Sequence, residues 1–462
     1  MYIFTMKKRL LFALLVISFI FIVGCVSKEE VEIEKADESI RDYDKNIQEP
    51  LPTTAQSQGL GNLCSEEDEC KDFCSKNRGQ CETYCRGKEI EICRNIFPPH
   101  DSKDLGPQEN KGCTGKGTVT FTSPPMSIDD DSIIEPIGLM IGGHVTPIDH
   151  GYYTAKTWHE GSNREDTSTF VDVLTPASGI VTRVQSMPAV YASSSIGDYR
   201  IVIHHTCTFY TIYIHVNQLS EKLKAIADTG KTAKVESGEV IGRAPGFDYS
   251  VHNDDVTLQG FITPENYIAE SWKIHTVDMF DNFIEPIKSQ LLEKNVRQKE
   301  PRGGKIDYDI DGRLVGNWFV ENSNGYMGIT EHPGDYGYWR THLAFAYDGL
   351  DPSLIIVSIG DYGGEARQFA VKGNAPDPAS VSVASGLVKY ELVAFGYKTE
   401  EGRDWDRWNF AKVTKAFGFD EHVGGVVFVQ MIEDRNLKFE VFPGKTAAQV
   451  NSFTENAKIY ER

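Results

Sequence analysis

Short runs in which apolar and polar residues alternate, cut by clusters of Gly, Pro and Ser, limit what most of this chain can become. Thr118-Val119-Thr120-Phe121-Thr122 and Ile180-Val181-Thr182-Arg183-Val184 alternate with period two, the pattern of a strand with one face turned inward. Arg200 to His205 and Phe209 to Val216 read as a hairpin closed around Thr206, Cys207 and Thr208. Further on, Leu314 to Val320, Leu354 to Ile359, Val426 to Met431 and Leu437 to Phe442 are strands by composition and length. The expected fold class is mainly β, with an antiparallel β domain at residues 114–275 and a C-terminal β-barrel or sandwich at 306–462. One core does not usually organise 462 residues, so several domains are expected.

The first residues carry a targeting signal rather than fold information. Lys7, Lys8 and Arg9 precede an apolar run, Leu10 to Val23, that is short for a membrane span. It ends in Ile22-Val23-Gly24-Cys25, which resembles the lipobox of a lipoprotein signal. The resemblance implies a signal peptide over 1–24 and lipidation of Cys25. The competing reading is an uncleaved anchor, and both place the rest outside the cytoplasm, held at a membrane. Residues 25–62 are rich in Glu, Asp, Lys, Ser, Gln and Pro without apolar period, so they form a solvated tether reaching on the order of 30 Å. A net charge of −20 argues against nucleic acid as a partner.

Eight further cysteines, an even number in an exported chain, suggest disulfides. In the segment 63–113, Cys70 and Cys74 are one helical turn apart, as are Cys81 and Cys85, with Asn77-Arg78-Gly79 between them. Two short helices stapled Cys70 to Cys85 and Cys74 to Cys81 would make a small helical hairpin, held largely by its bridges. A metal knuckle is the alternative, weakened by the absence of His at structural-zinc spacing. Cys64 and Cys93 lie in the same segment. Cys113 and Cys207 are candidates to join the edges of the central domain, and connectivity stays open at this level.

Within the central domain, alternation puts Tyr210, Ile212, Ile214 and Val216 on one face of a strand and Thr211, Tyr213 and His215 on the other. His215 would then point away from the apolar layer. The stretch from Gly142 to His252 carries imidazoles and carboxylates at well-separated positions in β-rich sequence, and two imidazoles with a carboxylate are what a zinc site with an open fourth position needs.

Residues 137–261 resemble the peptidase M23 family, the LytM or lysostaphin-type zinc endopeptidases that cut peptide cross-links in bacterial cell walls. The matching pieces are Gly142-Gly143-His144-Val145-Thr146-Pro147-Ile148-Asp149, Leu174-Thr175-Pro176-Ala177-Ser178-Gly179-Ile180-Val181, Thr211-Ile212-Tyr213-Ile214-His215-Val216 and Val235-Glu236-Ser237-Gly238-Glu239-Val240-Ile241-Gly242. The resemblance implies Zn2+ held by His144, Asp149 and His252, with His215 as the catalytic histidine beside a metal-bound water. Zinc would acidify that water, and the histidine would take its proton. Two departures bear on activity. Four residues separate His144 from Asp149 where the family has three, and Ser250 stands where the family has its second catalytic histidine. A serine hydroxyl is no base near neutral pH. His150, Asp248 and Ser250 stand beside this set, and Asp248 is the candidate to replace a ligand or the base. His204 and His205 read as structural, and His159 as lining a groove.

Two functions follow from these residues: a surface-tethered zinc metallopeptidase acting on envelope peptide cross-links, or a binding and scaffold lipoprotein whose M23-like domain has lost its chemistry. The missing histidine favours the second. The expected partners are the membrane, through the lipid, and a cell-wall or surface polymer.

Between the two β regions, residues 264–297 have helical character, with Phe280, Phe283, Ile284, Ile287, Leu291 and Leu292 mostly three or four apart. Pro286 lacks an amide hydrogen and so should open the helix that carries Ile287 to Leu292. Residues 276–305 thus form a connecting helix and linker. In the C-terminal region Gly316-Asn317-Trp318 faintly resembles the Gly-x-Trp of lipocalin-like barrels. Tyr336, Tyr338, Trp339, Trp405 and Trp408 could stack on sugar rings, although core packing is the commoner role of such residues. The lipobox reading is checked by metabolic labelling with a tagged fatty acid. Label should enter the wild-type protein, and Cys25→Ala should lose both the label and membrane retention.

Overall fold

Runs rich in β-branched and aromatic residues build nineteen strands among the described residues, all paired antiparallel within their sheets, in a computed structural model. The structure describes residues 112–462 except 128–131, 156, 159–164, 188–195 and 330–336. The signal segment, Cys25, the tether, the helical hairpin with Cys64 to Cys93, His159 and Tyr336 lie outside the described residues. Packing divides the chain at Pro98, and every described residue falls in the second unit, Pro99–Arg462. No described helix is long and apolar enough to cross a membrane.

The first part of this unit contains β1 (Ser132–Glu135), β2 (Gly151–Ala155), β3 (Val171–Leu174), β4 (Gly179–Ser186), β5 (Tyr199–His204) and β6 (Phe209–Val216). There follow β7 (Gln218–Leu219), α1 (Glu221–Thr229), β8 (Ala233–Val235), β9 (Val240–Ala244), β10 (Gly246–Asn253) and β11 (Thr276–Val277). One sheet runs β1-β2-β10-β6-β5-β4-β8, with β11 added on β10, and a smaller sheet runs β3-β9-β7. Between them lies a core that includes Tyr153, Val173, Val181, Ile203, Tyr213 and Tyr249. The expected β5–β6 hairpin is present, and Cys207 at its tip is bonded to Cys113, 94 residues earlier.

Thr118–Thr122, expected as a strand, makes one isolated parallel bridge from Phe121 to Phe283 and no ladder. The Phe121 ring enters the core against Phe209 and Phe283. Pro124 and Pro125 follow at once and have no amide hydrogen to continue a ladder. The helical expectation after β10 is met only in part. Pro264–His275 is 3-10 turn broken at Tyr267 and Glu270, and the α-helix is short, α2 (Ile287–Lys294), with Pro286 at its N-cap. Met279, Phe280, Phe283 and Leu291 pack into the same core as the main sheet, whereas Ile284 faces solvent.

The C-terminal region is a closed barrel, which decides between barrel and sandwich. Its strands are β12 (Gly316–Val320), β13 (His342–Tyr347), β14 (Ile355–Tyr362), β15 (Glu365–Val371), β16 (Val388–Thr399), β17 (Val413–Glu433), β18 (Asn436–Pro443) and β19 (Lys458–Glu461). Each pairs with the next, and β19 returns to β12 through Phe319 opposite Glu461 and Val320 opposite Tyr460. Inward residues such as Leu343, Phe345, Val357, Tyr390, Val429 and Phe439 fill the interior. At one end Trp318 is fully buried under the Arg462 guanidinium, 4.0 Å from ring centroid to Cζ. Arg462 also donates to the carbonyls of Val315, Ile310 and Arg313. Gly316 is required there, since at φ 122 a Cβ would fall 2.1 Å from Asp309 Oδ1.

Arg297 ties the two parts together. It is fully buried and donates to the carbonyl of Gly349 at 2.6 Å and of Pro301 at 2.7 Å. A buried guanidinium among fixed carbonyls holds one geometry because any shift strands a charge.

The Cys113–Cys207 bridge closes a loop long enough to restrict the unfolded chain strongly. The double variant Cys113→Ser, Cys207→Ser is expected to lose about 2–5 kcal/mol of stability in chemical denaturation, with the β-rich circular dichroism retained in buffer.

Candidate functional site

β10 carries the site. Phe247, Tyr249 and Val251 enter the main core, so Asp248, Ser250 and His252 share the opposite face. β6 lies beside it, with Ile214 across from Asp248 and Tyr210 across from His252. This second face is also buried. The turn Pro264–His275 seats Trp272 against Val202, Tyr210 and Ile212.

The alternation expected for β6 is inverted in the structure. Phe209, Tyr213 and Val216 belong to the main core, while Tyr210 and Ile212 lie on the second face under Trp272. His215 still reaches the polar cluster, because its backbone is left-handed at φ 67 and the β5–β6 register slips between Tyr199 and Ile201. A local irregularity of this kind re-aims one side chain without moving the strand.

The polar side chains form a chain of contacts. Asp198, 1% exposed, accepts from His215 Nδ1 at 3.0 Å. His215 Nε2 faces Asp248 Oδ2 at 3.6 Å, and His150 Nε2 faces the same oxygen at 3.4 Å. On its other side His150 Nδ1 lies 3.3 Å from Asp149 Oδ1. That oxygen also accepts from Lys273 Nζ at 3.0 Å, with both side chains buried. His144 meets the cluster edge-on, its ring centroid 5.3 Å from that of His150.

His252 belongs to a separate pair. Its Nδ1 donates to the carbonyl of Trp272 at 3.0 Å, so in the neutral ring Nε2 is the acceptor, and the Ser250 hydroxyl donates to it at 2.7 Å. The ring stacks on Tyr210 and is completely buried. Burial pushes its pKa down to about 4, which keeps the ring neutral. Burial, then the neighbouring His150, pushes His144 down to about 3. Burial would also lower His150, but Asp248 and Asp149 on either side overturn it and raise the pKa. For Asp149 burial acts upward, and the Lys273 ammonium with His150 outweighs it, holding the carboxyl well below its usual range. His204 and His205 lie outside this cluster, bonded to Thr182 and Thr211 respectively.

The donor set does not fit zinc as the family motif would place it. A ligand needs a free lone pair, and neither nitrogen of His252 offers one. Asp149 already carries a buried ammonium on the oxygen shared with His150. A divalent ion about 4 Å from that ammonium would be repelled by roughly 8 kcal/mol at an effective dielectric near 20. Among the described residues no three His, Cys, Asp or Glu side chains are arranged to hold a metal ion.

Lys273, Trp272 and Asp198 have no place in the motif-based set. The sequence holds one signal for Lys273, a cation flanked directly by the apolar Trp272 and Ile274, and none for Asp198. The aromatics are also accounted for. Tyr326, whose ring lies 4.8 Å from Lys273 Nζ, packs with Tyr338 and His342 into a wall that the barrel region lays over the cluster. Trp339 sits against Gly143, where a Cβ would come within 3.2 Å of the indole. Trp405 donates to the carbonyl of Ala411 and packs edge-on to Tyr397. Tyr338 and Trp405 therefore serve packing, and Trp408 is half-buried.

Fold and site together define a mainly β protein in which antiparallel sheets with a buried polar face stand with a closed eight-stranded barrel. No family model matches the chain, and no curated protein matches it. Among solved structures, a chain from the SpoIIQ–SpoIIIAH pore-forming complex matches over 37% of this chain and 96% of its own length, with 11% identity and a TM-score of 0.22. A likeness at that score carries no argument about chemistry or partners.

His342 supplies a pH test of the aromatic wall. Its Nε2 donates to the Tyr326 carbonyl at 2.9 Å, and burial pushes its pKa down to about 3. The unfolded chain, with an ordinary histidine near 6.5, takes up the proton first, so this contribution is complete above pH 6.5 and fades as pH falls toward 3. At pH 5 the loss is about 2 kcal/mol. Urea denaturation at pH 7.5 and pH 5 should show His342→Gln reducing the pH slope by about one proton.

Proposed function

We propose that this chain is an extracytoplasmic envelope protein whose M23-like domain, residues 114–275, serves binding and scaffolding rather than zinc-dependent peptide hydrolysis. The observation that carries the reading is His252. The residue at the position of the family's last metal ligand is buried, neutral and bonded through both nitrogens to Trp272 and Ser250. Ser250, where the family has its second catalytic histidine, is itself a donor to His252. The pair has become a packing contact on the inner face of β10.

The compartment rests on two supports. The Cys113–Cys207 disulfide suits an oxidising environment outside the cytoplasm. The N-terminal residues fit a lipoprotein signal with lipidation at Cys25, and the acidic tether to residue 62 would hold the folded unit near the membrane. The partner we propose is an envelope or cell-wall polymer within that reach.

His215 keeps a carboxylate-oriented imidazole, bonded to Asp198. The test is incubation of the full chain with cross-linked cell-wall peptides, with and without added zinc, alongside co-sedimentation with insoluble wall polymer. Expected are no cleavage and retention on the polymer. Zinc-dependent cleavage that disappears in His215→Ala would sink the reading.

A further inference from the structure

Among the described residues Lys273 is the only buried lysine, and it lies on the one carboxylate that the family motif assigns to a metal. Its Nζ donates to Asp149 Oδ1 at 3.0 Å, and the two side chains are 2% and 7% exposed. The Tyr326 ring faces the same ammonium at 4.8 Å. That ring is fixed from the barrel side. Gly325 packs so tightly on the backbone of Asn266 that a Cβ would fall 2.7 Å from its carbonyl oxygen. Lys273 is fixed from its own side as well. Thr276 Oγ1 donates to the Lys273 carbonyl at 2.9 Å, and the preceding Trp272 carbonyl receives His252 Nδ1. The cation and the inward-turned histidine are therefore placed by the same short turn.

We infer that Lys273 is an internal cation standing in for a divalent metal, holding Asp149 and through it His150 in place, so that the polar face of the sheet is complete without any ion. An ammonium can neutralise a buried carboxylate as a metal does, but it has no lone-pair acceptor and no open position, so it keeps the architecture and gives up the Lewis acidity. The proposal rests on the non-hydrolytic reading above, yet the two can fail separately. A protein that cleaves nothing but carries zinc on this cluster would overturn only the present one.

The charge swap is tested by a double-mutant cycle in the full chain. Lys273→Met leaves the buried Asp149 carboxylate without its ammonium, whereas Lys273→Met with Asp149→Asn removes both members of the pair. The single Lys273→Met variant should lose roughly 10 °C in melting temperature, and the double variant should recover most of that loss. Should Lys273→Met fail to fold, a folded double variant supports the proposal equally, and a double variant that fails while Asp149→Asn alone folds overturns it. In parallel, metal analysis of the wild-type protein should find less than about 0.1 zinc per chain, and neither zinc nor a chelator should move its melting temperature by more than about 1 °C. Stoichiometric zinc lost in His150→Ala or His215→Ala overturns the proposal. So does Lys273→Met with wild-type stability.

Discussion

A strand buried on both faces must find partners inside the protein for the charged and strongly polar groups it carries, because water cannot reach them. β10 is that strand here. Its apolar face is built from Phe247, Tyr249 and Val251, packed into the main core. Its other face carries Asp248, Ser250 and His252, and those groups determine what must lie opposite. Trp272 offers a carbonyl to His252, Ser250 completes that ring, His150 and His215 come to Asp248, and Lys273 answers the charge of Asp149. The turn Pro264–His275 crosses the strand because it brings two of these partners at once. Its 3-10 geometry, where periodicity suggests a helix, is broken at Tyr267 and Glu270 just before Trp272 and Lys273 turn inward.

Much of the fold is legible in the sequence because β structure writes itself in local chemistry. The β5–β6 hairpin, the barrel strands and the helix start at Pro286 all come from alternation, length or a missing amide hydrogen. Thr118–Thr122 has the right alternation and still forms no ladder, since Pro124 and Pro125 cut off the main-chain donors and Phe121 is held by its ring instead. Strand faces are less legible. In β6 both faces are buried, so alternation separates two sets of side chains without saying which one meets the larger core, and a single left-handed residue at His215 then carries that imidazole across.

The site divides in the same way. The motif brings out His150, Asp248 and His215 as neighbours of a centre, and these residues are close together in space. The motif does not describe what surrounds them. Lys273 lies 124 residues from Asp149 and comes from a turn outside the resembling segment. Asp198 stands in an unremarkable Ile-Gly-Asp sequence. No pattern within the motif distinguishes a histidine that offers a lone pair from one bonded through both nitrogens, because that depends on a carbonyl twenty residues further on.

The barrel closes through contacts between Phe319 and Val320 at one end of its sequence and Tyr460 and Glu461 at the other. The aromatic roof over the polar cluster, Tyr326, Tyr338 and His342, stands at the connection between the first two strands of that ring. The barrel thereby supplies from its own sequence the cover that keeps water off the charged face of the neighbouring sheet.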